Sequence, residues 1–106
     1  PDEIKAQPSR IRLKAEYTPG LKGLEVGDRI MVVFYFHKSQ GYQLLQHRRG
    51  DPSRPLRGVF DLHSPDRPNP IGVTVVDLLN IEGGLLEVSG LDALNGTPVL
   101  DIKSAE

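Results

Sequence analysis

The chain has 106 residues, 38% hydrophobic and 25% charged, and its 13 Lys and Arg against 14 Asp and Glu leave a formal net charge of −1. That length supports one domain with a viable core and excludes a two-domain enzyme; the composition excludes a disordered chain, and the spread of Gly and Pro leaves no room for a membrane-spanning helix. Without cysteine there is no disulfide, thiol nucleophile, iron–sulfur cluster or cysteine-ligated zinc, and without net positive charge any nucleic-acid role must rest on a local patch. A soluble globular domain without a signal peptide is expected.

Arg10 to Tyr17 alternates apolar and charged residues, the period-2 pattern of a strand with one wet and one buried face. Thr18-Pro19-Gly20 stops it, and Leu21 to Gly27 holds only enough residues for a turn of helix. Ile30 to Phe36 is a continuous β-branched and aromatic run, expected to form a strand buried on both sides at the centre of the fold. Tyr42 to Gln46 is a weaker strand. The loop His47 to Arg57 then carries four arginines, Arg48, Arg49, Arg54 and Arg57, against one acid, Asp51. In Ser64-Pro65-Asp66-Arg67-Pro68-Asn69-Pro70 three prolines within six residues predict a stiff, extended path. Val73 to Glu82 and Leu85 to Gly90 flank Gly83-Gly84, a hairpin signal. Asn95-Gly96 marks a tight turn before the last strand, Val99 to Lys103. Six or seven short strands with almost no helix predict an all-β fold, a small barrel or sandwich.

His37, His47 and His63 show no paired metal-ligand spacing, and no metal is expected. Asp61, His63 and Ser64 supply the residue types of a nucleophilic set, but neighbours on an extended chain face opposite ways and there is no GxSxG elbow. GxGxxG and GxxxxGK[ST] are also missing. What remains is a set of polar groups at stiff positions: Arg67 and Asn69 within the proline segment, and Asp92, Asp101 and Lys103 around the closing turn and strand. An inert crossover and a plain Asx-type turn are the structural alternatives.

Ser64-Pro65-Asp66-Arg67-Pro68-Asn69-Pro70-Ile71-Gly72, followed by the segment Val88 to Lys103 with its Asp92-Ala93-Leu94-Asn95-Gly96-Thr97-Pro98, closely resembles the paired signatures of the TrmO (TsaA-like) family. Weaker resemblance at Gln7 to Ser9, Gly20 to Glu25 and Phe34 to Ser39 extends it over nearly the whole chain. The resemblance implies a small single-domain β-barrel over residues 1–106 that uses S-adenosylmethionine to methylate the N6 nitrogen of N6-threonylcarbamoyladenosine in tRNA, as a cytoplasmic homodimer. A small-molecule methyl acceptor, or a non-catalytic S-adenosylmethionine-binding module, is the alternative. Three departures stand out: His63 where the family has an Arg before Ser-Pro, Ser104 and Ala105 where an aromatic Tyr is usual, and a start at Pro1 without the glycine-led opening strand, which suggests a trimmed variant.

By the same resemblance, the adenosine half of the cofactor lies against Leu91 to Pro98, with Asp92, Leu94, Thr97 and Pro98 in contact. The amino acid half faces His63, Ser64, Arg67 and Asn69, where Arg67 can fork onto a carboxylate. Phe36, beside His37, offers a π-face to a cationic methyl. Asp92, Asp101 and Lys103 are the catalytic candidates, although Asp101 and Lys103 also suit a same-face ion pair. Arg48 and Arg49 are the candidate docking groups for an anionic substrate such as tRNA.

Overall fold

The computed structural model describes residues 8–91 and 96–106. Seven strands fold into two sheets: β1 (Ser9–Arg12), β2 (Arg29–Tyr35), β5 (Ile71–Glu82), β6 (Leu85–Val88) and β7 (Val99–Ser104) in the order β1-β6-β5-β2-β7, and β3 (Leu45–His47) with β4 (Leu56–Gly58) as a separate ribbon. Every pairing is antiparallel. Among the described residues helix is confined to three 3-10 turns, Ala15–Leu21, Arg48–Gly50 and Val59–Asp61. The all-β expectation therefore holds, while closure does not follow: no ladder joins the edge strands β1 and β7 among the described residues, so the larger sheet is open by hydrogen bonding.

Alternation builds the core. Ile11, Ile30, Val32, Phe34, Val76, Leu78, Leu86 and Val88 occupy one face of their strands and are buried together with Leu91. The described residues include no buried polar side chain, so burial here is uncomplicated by desolvation of charge. β2 is buried on one face only. Met31 and Val33, on its other face, are half-buried beside the exposed Val73 and Val75 of β5, because none of the described residues forms a layer over that side.

Strand lengths follow available partners. β1 ends at Arg12, which pairs with Leu85, the first residue after the Gly83-Gly84 turn. The Leu13 N–H still reaches the Gly84 carbonyl at 2.8 Å, but no β6 residue lies beyond it, so the expected continuation to Tyr17 gives way to the 3-10 turn. The helical turn expected over Leu21 to Gly27 thus lies earlier in the chain. The hairpin forms where Gly83-Gly84 predicts it, with Gly83 at φ 60°, a conformation that favours glycine. In β5, Leu78 opposes Val88 and Asn80 opposes Glu87, leaving Leu79 as the extra residue of a bulge. A second bulge interrupts the β2–β7 ladder between Val33 and Phe34.

Gly72 fixes the packing of the end of β2. A methyl group there would stand 2.6 Å from the Phe34 ring and 2.8 Å from Phe36, whose rings meet edge to face with centroids 5.1 Å apart. Glycine lets both aromatic rings lie against the β5 backbone.

Candidate functional site

The end of β2 joins two features that are far apart in sequence. The Tyr35 N–H donates to the Pro98 carbonyl (3.0 Å), and the Phe36 N–H donates to the Pro70 carbonyl (2.7 Å). The closing turn and the exit of the proline segment are thereby bonded to adjacent residues of one strand.

The proline segment bends where a straight rod is expected. Its Arg67 N–H bonds the Pro65 carbonyl (3.0 Å) and the Ile71 N–H bonds the Asn69 carbonyl (2.8 Å), two three-residue turns. Pro68 and Pro70 have no N–H of their own, which leaves these neighbours as the donors that shape the backbone. The half-buried Arg67 staples the bend, its Nη1 donating to the Leu62 (2.8 Å) and Ser64 (3.2 Å) carbonyls. Ser64 Oγ accepts from the Asp66 N–H (3.1 Å). From outside, Ser39 Oγ donates to the Pro65 carbonyl (3.0 Å) and Gln46 Nε2 to the Asp66 carbonyl (2.6 Å). These two clamps show no chemical signature in sequence; they emerge only once β3 is placed beside the segment.

Two cavities flank this framework. The smaller, about 520 Å³, opens between the two edge strands and is lined by Ser9, Arg10 and Ile11 of β1, Val99 of β7, Phe34, Glu87, Leu91, Gly96 and Thr97. The larger, about 970 Å³, lies between the proline segment and the arginine loop; His47, Arg48, Arg49, Asp61, His63, Ser64 and Asp66 are among its walls. Both are of a size that takes small ligands, roughly 300–1,000 Å³.

The expected site residues thus divide. His63, Ser64, Arg48 and Arg49 share the larger cleft, and Thr97 borders the smaller cavity. Pro98 contributes its carbonyl to the end of β2, beside the half-buried Phe36 and His37. Asn69 is exposed and Arg67 half-buried, and neither is in the walls of these two cavities. Asp92 and Leu94 lie outside the described residues, as does the Asn95 half of the expected turn. Asp101 and Lys103 oppose Val33 and Met31 on the outer sheet face, whereas Val99 opposes Phe34 on the inner one. They pair with each other at 3.0 Å, the arrangement of a same-face ion pair. Among the lining residues missed in sequence are Arg10 and Glu87, which β1–β6 pairing brings to the cavity rim without any local motif, whereas Leu91 borders the cavity as the first residue of the expected Leu91 to Pro98 contact.

Electrostatics follow the same division. Lys103 holds the Asp101 carboxyl below the ordinary carboxylate range, helped by the Ile102 N–H (2.8 Å). Asp51, in the arginine loop, is lowered by the Ser53 hydroxyl (2.7 Å), then by the Ser53 N–H (2.9 Å) and nearby His47. His47 Nδ1 lies 2.8 Å from the Arg54 carbonyl, which fixes the ring as a donor at that nitrogen. Among the described residues no group of three or more His, Asp or Glu is placed to hold a metal ion.

Comparison with known proteins gives this geometry its context. The family model of the tRNA-methyltransferase O N-terminal domain matches residues 1–105. A probable S-adenosyl-L-methionine-binding protein of Methanocaldococcus jannaschii is 44% identical over 92 residues, covering 83% of this chain and 73% of that protein. The human tRNA (adenine(37)-N6)-methyltransferase is 41% identical over 98 residues, 89% of this chain but 22% of that protein. The crystal structure of TrmO from Pseudomonas aeruginosa superposes with a TM-score of 0.75 at 34% identity and covers 98% of this chain. The chain spans 44% of that TrmO chain, less than half its length. It belongs to the tRNA-methyltransferase O N-terminal domain family.

Proposed function

We propose that the chain is an S-adenosylmethionine-dependent methyltransferase that acts on the N6 nitrogen of N6-threonylcarbamoyladenosine in tRNA. Family membership and the names of similar proteins support the reaction class. The observation that carries the assignment is the double attachment of the end of β2, at Tyr35 to Pro98 and at Phe36 to Pro70. It ties the turn beside a nucleoside-sized cavity and the segment beside an arginine-rimmed cleft to one rigid strand end.

The walls of the smaller cavity fit the cofactor. Ile11, Phe34, Leu91 and Val99 offer apolar surface to an adenine ring, and the Glu87 carboxylate is an acceptor for ribose hydroxyls. S-adenosylmethionine supplies an electrophilic methyl group on a sulfonium. The protein's task is then to align donor and acceptor and exclude water, so positioning carries most of the catalysis. Arg67 keeps the proline segment in shape through Nη1 and presents the rest of its guanidinium to a carboxylate. Phe36 gives a π-face to positive charge. Asp101 and Lys103, bound to each other on the outer face, brace β7 in this reading, and Asp92 remains the catalytic carboxylate candidate. Arg48 and Arg49 dock the RNA at the larger cleft. A net charge of −1 favours the second reading, a small-molecule acceptor. Calorimetric titration with S-adenosylmethionine, followed by mass analysis of tRNA and small acceptors incubated with both, separates the two.

The same reading has the chain act as a cytoplasmic homodimer. The uncovered outer sheet face supports pairing: Ile71, Val73, Val75 and Leu79 of β5 are 42%, 52%, 41% and 41% exposed, beside half-buried Met31 and Val33. Exposed apolar side chains on one sheet face, here bordered by Asp77, Asp101 and Lys103, suit an interaction site. Sedimentation at micromolar concentration should give twice the chain mass; a monomer with and without cofactor would remove the dimer from the account.

A further inference from the structure

Phe60 is the most exposed large apolar side chain among the described residues, at 80%. Its backbone is nevertheless held on both sides. Val59 before it is buried and donates its N–H to the Leu44 carbonyl (2.8 Å); the buried Leu62 closes back onto the Val59 carbonyl (3.1 Å). An Arg57–Asp61 ion pair of 2.7 Å spans the turn. The aromatic ring is therefore presented to solvent from a fixed turn at the end of β4.

The ribbon and loop leading to that turn carry exposed Arg48, Arg49 and Arg54, none with a carboxylate partner among the described residues, while Arg57 is neutralised by Asp61. Arg49 sits at φ 56°, in the left-handed region that a residue other than glycine seldom adopts. The β3–β4 register sets these cations at the loop end of the ribbon and Phe60 just beyond its other end. Unpaired cations and an uncovered aromatic ring carried on one ribbon are the two components that bind unpaired nucleic acid: the cations follow phosphates and the ring takes a base. A second copy of the chain fits less well, since a twofold contact centred here would set one cluster of arginines against another.

We propose that Phe60 is a positioning residue that stacks on an unpaired base of an RNA loop docked by Arg48, Arg49 and Arg54. This inference rests on the tRNA reading above and adds the side chain that orients the RNA loop. Base stacking on one aromatic side chain is sequence-tolerant, so the ring orients the loop without selecting a base.

The test is fluorescence anisotropy with the full chain against two labelled RNAs, a tRNA anticodon stem-loop and a fully paired hairpin with the same number of phosphates. Phe60→Ala should weaken stem-loop binding about tenfold, the scale of one lost stack. It should leave paired-hairpin affinity, the salt slope and S-adenosylmethionine affinity unchanged, and Phe60→Trp should restore the stem-loop. Wild-type stem-loop affinity in Phe60→Ala, or equal loss for both RNAs, overturns the proposal while the tRNA reading stands. A lower sedimenting mass for Phe60→Ala overturns it in favour of a protein contact. If the wild type binds neither RNA at low salt, the tRNA reading fails and the stacking role fails with it.

Discussion

Replacing Gly72 with alanine tests how the end of β2 is built. The new methyl carbon would lie 2.6 and 2.8 Å from two atoms of Phe34 and 2.8 Å from Phe36, well inside van der Waals contact. Phe34 is buried in the main core and cannot simply swing aside; Phe36 is only half-buried and yields more easily. Overpacking of this kind costs about 1–3 kcal/mol, which for a domain near this size lowers Tm by about 4–8 °C per kcal/mol. Gly20→Ala is the matched control, because a methyl group there has no neighbour within 4 Å and the backbone is not left-handed. Thermal and urea unfolding should show a clear loss for Gly72→Ala and little change for the control. Adding Phe36→Leu should recover part of the loss, the two sites being in contact. Since Phe34 also lines the smaller cavity, the displaced ring should weaken S-adenosylmethionine binding as well. Equal unfolding curves for the two alanine variants would refute the packing argument.

Three further outcomes are expected. Leu86→Ala, which empties a fully buried position in β6, should destabilise the chain by about 2–5 kcal/mol in urea unfolding without changing the family of ligands bound. Arg67→Ala removes the staple on the Leu62 and Ser64 carbonyls and the proposed carboxylate fork, so calorimetry should show about tenfold or more loss of S-adenosylmethionine affinity; unchanged affinity in a folded variant removes Arg67 from the site. The Asp51 and Asp101 carboxyls lie below their ordinary value of 3.8, so their contributions are complete above that pH and disappear as pH falls through the lowered values. Stability should accordingly be insensitive to these groups from pH 5 to 8, and Asp101→Asn should flatten part of the decline in an acid titration of unfolding.

The parts of the fold that depend on local pattern were legible in the sequence. The β-branched run at Ile30 located β2, and Gly83-Gly84 located the hairpin, because turn chemistry and period-2 alternation act over a few residues. Pairing partners were not legible. Whether β1 continues past Arg12 depends on where β6 begins, and the outer face of β2 is only half-buried because no second layer among the described residues reaches it. The site shows the same limit. Ser64, Arg48 and Arg49 were identifiable as chemistry-bearing residues, and the structure places them around one cleft. Glu87 and Arg10 gave no signal as site residues, since they enter the cavity only through the β1–β6 register. For Asp101, residue type suggested catalysis, yet strand register puts it on the face opposite Val99 and beside Lys103.

Methyl transfer from labelled S-adenosylmethionine to tRNA tests the central claim most directly, using matched tRNA with and without N6-threonylcarbamoyladenosine. The account predicts label on the modified tRNA alone, located at the N6 nitrogen by mass analysis of the digested nucleosides. Cofactor binding with no label on either tRNA, or equal label on both, would contradict it.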